Sequence, residues 1–318
     1  MPGSFVTLLI ILILLGLLSC AAAVIGMAFS LLRPPRMTDG KATWVLQRIS
    51  PGDLGLSFEE MHFIVRDERD GRRLRLAGWW IPAARSAGRC VILLHGYADA
   101  KVGAIAWAPL WHKLGFNILA IDFRAHGESA GTYCTAGYWE RHDVSQVIDE
   151  IRAERPLDTR HVALFGVSMG AAVAAATAAM RTDLAAVVLE SPFADFRRAT
   201  MGQMERLGAP GRPFQQLALK LAERIAACDF GALRPAEMIR EIACPIMIVA
   251  PDGDSMVTPE DQRAIENALL SRDRADADSY WPVRTGHLLA LHAEPDEYER
   301  RLRGFLDPAI NLTALTIG

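Results

Sequence analysis

The chain of 318 residues carries 34 Lys and Arg against 37 Asp and Glu, a formal charge of −3, with 51% hydrophobic and 22% charged residues. That near-even balance excludes the basic footprint of a nucleic-acid-binding protein, and the apolar content excludes a disordered chain. One large domain or two ordinary ones fit this length.

The first element is Phe5–Leu32, FVTLLIILILLGLLSCAAAVIGMAFSLL, 28 residues without a charge. A helix rising about 1.5 Å per residue needs about 20 apolar residues to cross the hydrocarbon core. The run exceeds the roughly 7–15-residue core of a cleaved signal, and no Lys or Arg precedes it. Residues 1–33 therefore read as an uncleaved membrane anchor, with a cleaved signal or a buried helix as alternatives. The sequence LLSC, ending at Cys20, faintly resembles a lipoprotein cleavage box, but the apolar run continues well beyond it. Arg33, Arg36 and Lys41 follow the span, which places the bulk of the chain on the cytoplasmic side. Residues 34–57, opening on PPRMTDGK, read as a linker.

Next come MHFIV and LRLAGWWIP, flanking the charged turn RDERDGRR, which predict an antiparallel hairpin. Apolar runs then alternate with helical segments. The runs are CVILLHG (90–96), NILAIDFR (117–124), HVALFGV (161–167), LAAVVLES (184–191), PIMIVAPDGD (245–254) and SYWPV (279–283). Helices are predicted around 103–114, 137–155, 169–181, 259–271 and 294–306, the second with Val144, Val147, Ile148 and Ile151 on one face. Near-continuous apolar strands separated by helices predict a mostly parallel sheet covered on both faces. One interval breaks this rhythm: about 193–243 is helical, with Leu217, Leu221 and Ile225 along one side of FQQLALKLAERIAA. It reads as a lid or substrate cap, or as an extra packing layer.

Cys20, Cys90, Cys134, Cys228 and Cys244 show no CxxC or finger-like spacing. Cys90 and Cys244 open strand-like runs, where a buried free thiol is expected. The tripeptide NLT at Asn311 fits a glycosylation sequon. No phosphate loop, dinucleotide fingerprint or zinc motif is present.

In a sheet of this kind the chemistry is expected at the carboxyl ends of the strands. Ser168 ends the run HVALFGV and opens an alanine-rich helix, within the G-x-S-x-G pattern GVSMG. Small residues on both sides permit the sharp strand-to-helix turn that exposes a nucleophilic hydroxyl. A serine needs a base held by a third group. The only histidines downstream are His287, in the loop after the last strand, and His292, five residues later; position favours His287. For the acid, Asp254, Asp252 and Asp195 all follow strands. A carboxylate at the tip of the strand after the insertion would face the histidine loop, which favours Asp254. The end of the strand at LLHGYADA offers the Tyr97 backbone N–H as one oxyanion donor, with the Met169 N–H as the other. His95 reads as structural.

The motifs HGYAD, DFRAHGESAG, GVSMG, LESPFAD, GDSMVTP and TGHLLAL, in this order over roughly residues 58–308, resemble the α/β-hydrolase superfamily and, within it, the monoacylglycerol-lipase-like serine hydrolases. The resemblance implies an α/β-hydrolase fold over 58–318, an eight-stranded sheet with a cap after the sixth strand, an acyl-enzyme mechanism and no cofactor. It also raises Asp254 over Asp252, by its register before MVTP, and makes Asp122, Arg124 and His126 structural. Two departures stand out: Ala125 replaces a glycine of the D-x-R-G-H-G-x-S turn, and Ala250-Pro251 stands where His-Gly is common.

The favoured reading is a membrane-anchored serine hydrolase acting on a lipid-like or acylated ester or thioester. An aminopeptidase or amidase would need an acidic pocket for the substrate amine, for which the cap offers Glu205, Glu223 and Glu237. A non-catalytic binding scaffold is disfavoured because all three triad members are present.

Overall fold

The β-branched and aliphatic runs form the eight strands of one sheet in the computed structural model, which describes residues 2–273 and 276–310. The strands are β1 (Glu59–Arg66), β2 (Arg73–Ile81), β3 (Arg89–Leu94), β4 (Asn117–Ile121), β5 (His161–Val167), β6 (Ala186–Glu190), β7 (Ile246–Pro251) and β8 (Ser279–Val283). Their spatial order is β1-β2-β4-β3-β5-β6-β7-β8. β2 pairs antiparallel with β1 and β4, and every other pairing is parallel. Strands β3, β4, β6 and β7 are buried at every residue, as a sheet covered on both faces requires. On the edge, β1 alternates, burying Met61, Phe63 and Val65 only. This is the α/β-hydrolase fold, with the hairpin and all six runs where the sequence places them.

The helices are α1 (Pro2–Leu32), α2 (Asp39–Leu46), α3 (Lys101–Ala104), α4 (Ala108–Lys113), α5 (Glu140–Glu154), α6 (Met169–Ala179), α7 (Phe196–Arg206), α8 (Arg212–Ala226), α9 (Pro235–Glu241), α10 (Pro259–Leu270), α11 (Ala290–Ala293) and α12 (Pro295–Ile310). One apolar core joins the sheet to α5, α6, α8, α9 and α10, and a second joins the opposite face to α2, α3, α4 and α12. Helices α7, α8 and α9 fill the interval between β6 and β7, the predicted cap.

Three features differ from the sequence expectations. Helix α1 is long and apolar enough to cross a membrane, yet its last turns bury Val24, Ala28 and Leu32, the latter two within the first core, and it packs along α8. Residues 34–57, expected as a linker, carry α2 and a 3-10 turn at Pro51–Leu54, and Pro34, Ala42 and Pro51 are buried. In α8 the predicted stripe meets the core only in part: Leu217 is 55% exposed, Leu221 and Ile225 are half-buried against the first core, and Gln215, Ala218, Leu219, Ala222 and Ala226 are buried. Small residues on that face let a neighbouring helix approach closely, an advantage a hydrophobicity stripe does not register. Asn311 lies outside the described residues.

Candidate active site

From β3 the chain passes first to β4 on one side and then to β5 on the other, so the strand order reverses between β3 and β5. A crevice opens at the carboxyl ends of the strands at such a reversal. Gly96 and Tyr97 follow β3 and Ser168 follows β5.

Ser168 has φ 53° and ψ −116°, a conformation that L-residues avoid, and it caps α6. Its backbone N–H donates to Glu190 O at 2.9 Å, tying the turn to the end of β6. The flanking glycines are demanded by sterics. A Cβ on Gly166 would overlap Gly170 O, and one on Gly170 would overlap Leu94 O and lie 2.6 Å from His95 O. A Cβ on Gly96 would lie 3.7 Å from Ser168 Cβ, so the loop after β3 runs beside the serine. Met169 opens α6, whose first N–H groups have no intrahelical acceptor.

His287, after β8, and Asp254, after β7, meet: His287 Nδ1 lies 2.6 Å from Asp254 Oδ2. The other carboxylate oxygen accepts the N–H groups of Met256 at 2.7 Å and Val257 at 3.0 Å. Burial pushes the Asp254 carboxyl up, but the histidine and the two N–H donors outweigh it and hold it below the ordinary carboxylate range. The two loops are stitched by Asp252 N–H to Val283 O (2.9 Å) and Gly253 N–H to Thr285 O (3.0 Å). The departure at Ala250-Pro251 is absorbed here, because β7 runs through Pro251 and its carbonyl accepts Gln262 Nε2 at 2.5 Å.

The alternatives have other roles. Asp252 and His292 are exposed, and Asp195 caps α7, accepting from Arg198 N–H at 2.8 Å. His95 is wholly buried. Its Nε2 accepts from Phe123 N–H at 3.1 Å, which leaves the proton on Nδ1 to reach Gly96 O at 2.7 Å. Burial keeps this imidazole neutral. Asp122 accepts from Lys101 N–H, Lys101 Nζ and Glu128 N–H, and Arg124 grips Asp143 through two bonds of 2.6 and 2.7 Å. Ala125 takes φ 61°, the left-handed conformation that a glycine would adopt without strain.

Sequence reasoning passed over Glu190, the glutamate of LESPFAD. Fully buried at the end of β6, it accepts Trp107 Nε1 at 3.0 Å and Tyr298 Oη at 2.8 Å on one oxygen. Burial pushes its carboxyl up to about 7. A charged residue closing an apolar strand was the available signal.

A family model described as serine aminopeptidase, S33, matches residues 85–229, a segment that holds Tyr97, Ser168 and Met169 but ends before Asp254 and His287. The uncharacterized protein Rv2307c of Mycobacterium tuberculosis is 27% identical over 195 residues, 61% of this chain and 62% of that protein. Lysophosphatidylserine lipase ABHD12 of Mus musculus is 25% identical over 195 residues, 56% of this chain and 45% of that one. The match thus spans less than two thirds of either relative. Among solved structures, the Pyrococcus furiosus esterase Pf2001 superposes with a TM-score of 0.70 at 23% identity, over 88% of this chain and 98% of that one. That likeness speaks for the fold alone. The chain thus has the α/β-hydrolase fold, and its residues 85–229 are similar to the serine aminopeptidase S33 family. Its neighbours by structure and sequence include an esterase and a lipase.

Proposed function

We propose that this protein is a membrane-anchored serine esterase or lipase working through an acyl-enzyme. The observation that carries the reading is the Asp254–His287 pair, held on adjoining loops at the strand ends where the Ser168 elbow also stands. With Nδ1 bound to Asp254, the imidazole is left with Nε2 to take the Ser168 proton as Oγ attacks an acyl carbon. The N–H groups of Tyr97 and Met169 receive the oxyanion. His287 returns the proton to the leaving alcohol or thiol, and water, activated by the same nitrogen, releases the acid. Asp254 orients the ring and stays ionised.

The anchor helix favours a lipid-like or acylated substrate, and so do Leu207, Phe214 and Leu217, exposed on the cap. Arg33, Arg36 and Lys41 after the span favour a cytoplasmic catalytic domain. An aminopeptidase, which the family model's description suggests, is less well supported. Each candidate carboxylate has its own arginine: Glu205 with Arg212, Glu223 with Arg197 and Glu237 with Arg234. No free acidic pocket remains among these three to receive a substrate amine.

A fluorophosphonate probe is expected to label the wild type and to spare Ser168→Ala; equal labelling of both overturns the assignment. Turnover of p-nitrophenyl acyl esters well above that of aminoacyl anilides is the result that favours the esterase over the aminopeptidase.

A further inference from the structure

We propose that the last turn of α1 and the residues just after it are a working part of the catalytic site. They hold the oxyanion loop in place through the Tyr97 side chain. The proposal rests on the reading of Tyr97 N–H as an oxyanion donor, and it assigns the Tyr97 phenol a separate positioning role.

The last carbonyls of a helix have no intrahelical donor and must find partners elsewhere. At the end of α1, Tyr97 Oη donates to Ser30 O at 2.5 Å, with Leu31 O at 3.2 Å. Leu32 O accepts Cys134 N–H at 2.8 Å. The Arg33 guanidinium lies over the Tyr133 ring, 5.4 Å from its centroid. Arg36 then donates to the carbonyls of Gly127 and Ser129 at 2.7 Å, with His126 O at 3.3 Å and Gly131 O at 3.2 Å. Within seven residues the segment thus ties down both the loop after β3 and the long loop after β4.

The first of these loops needs tying. Ala98, directly after Tyr97, has φ 58°, a left-handed conformation that an alanine adopts only under strain. The loop holds this form beside Ser168, where small displacements of an N–H donor matter most. The phenol bonded to the helix end is the tether on one side, and the edge of the Tyr97 ring against His126 (6.2 Å between centroids) is the tether on the other. A membrane helix is therefore structurally continuous with the oxyanion loop.

The test uses the full chain in phosphatidylcholine vesicles, a water-soluble p-nitrophenyl ester, and a trifluoromethyl ketone as transition-state analogue. Tyr97→Phe removes one oxygen. It is expected to lower kcat about tenfold with KM held within about twofold, and to weaken the ketone by the same factor, because a misplaced donor harms the transition state and not substrate binding. If the ketone affinity and kcat both stay within about twofold of wild type, or if KM alone rises, the proposal is overturned. Arg36→Gln cuts another tether of the same segment and is expected to act in the same direction, so a misfolded Tyr97→Phe still leaves a decisive measurement: Arg36→Gln without effect on kcat or ketone affinity overturns the proposal. Ser168-dependent fluorophosphonate labelling separates the two levels. Its failure sinks the serine-hydrolase reading, whereas intact labelling with unaltered Tyr97→Phe kinetics sinks only the brace.

Discussion

Helices α1 and α6 are both apolar and alanine-bearing, yet the protein uses them in opposite ways. In α6, the residues from Met169 to Ala178 are all buried between the sheet and its neighbours. In α1, residues 5–22 are all exposed, while Val24, Ala28 and Leu32 are packed into the body. The physical difference is length against available cover. An 11-residue helix is about 16 Å long, close to the reach of a five-residue strand, so the sheet can hide it entirely. A 31-residue helix of about 46 Å outruns any layer this fold supplies. Its exposed stretch of about 27 Å nearly matches a hydrocarbon core of about 30 Å. On the proposed anchoring, a single apolar run divides between two solvents, one lipid and one protein.

Charge insertion puts that division to the sharpest test. Ala174→Asp, at a wholly buried position of α6, is expected to cost about 4 kcal/mol or more and to abolish the cooperative thermal transition. Ala28→Asp, in the docked part of α1, should fall on the same side and lower Tm clearly. Leu14→Lys, in the exposed part, should leave Tm unchanged and instead weaken insertion into vesicles by about 3 kcal/mol. If Ala28→Asp behaves like Leu14→Lys, the docking of α1 on the domain is wrong.

A smaller effect sharpens the buried side. The Glu190 carboxyl, raised to about 7 in the fold from an ordinary 4.5, binds its proton more tightly folded than unfolded. Stability therefore falls as pH rises from about 4.5 to 7 and is flat above, a loss of at most about 3 kcal/mol. Glu190→Gln keeps an oxygen to accept from Trp107 and Tyr298 and cannot ionise. Its Tm relative to wild type should rise from pH 5 to pH 8 in calorimetric scans; a pH-independent difference would show that Glu190 ionises freely in the fold.

The smallest prediction concerns the turn that Arg36 grips. Ala125→Gly relieves a left-handed alanine and is expected to raise stability by up to about 1 kcal/mol in urea unfolding, net of the entropy that glycine adds to the unfolded chain. A loss of stability would mean that the turn, and with it the seat of the anchor segment, is not strained at Ala125.

Much of this was legible without coordinates. The β-branched runs marked the strands, the glycines around Ser168 marked a turn with no room for Cβ atoms, and chain order pointed to Asp254 and His287, which the fold then brings together. These features are local, or depend on the order of elements along the chain. Other features were not legible, and each depends on contacts between residues far apart in sequence. Arg36 looked like a flanking charge until its guanidinium was found on carbonyls 90 to 95 residues away. In α8 the predicted stripe turned out to lie at the margin of the core face, with Leu217 exposed and Leu221 and Ile225 half-buried, because the direction in which a helix faces the body is set by contacts across the fold.

The sequence by itself determined the sheet, the elbow and an apolar helix too long for the body, because strand patterning, glycine sterics and helix rise are written in neighbouring residues. Only the tertiary structure decided where that helix stops being exposed and begins to pack against the body of the protein. That boundary is drawn by which carbonyls, rings and guanidinium groups meet across the fold, and Tyr97 reaching Ser30 is a meeting that no local pattern records.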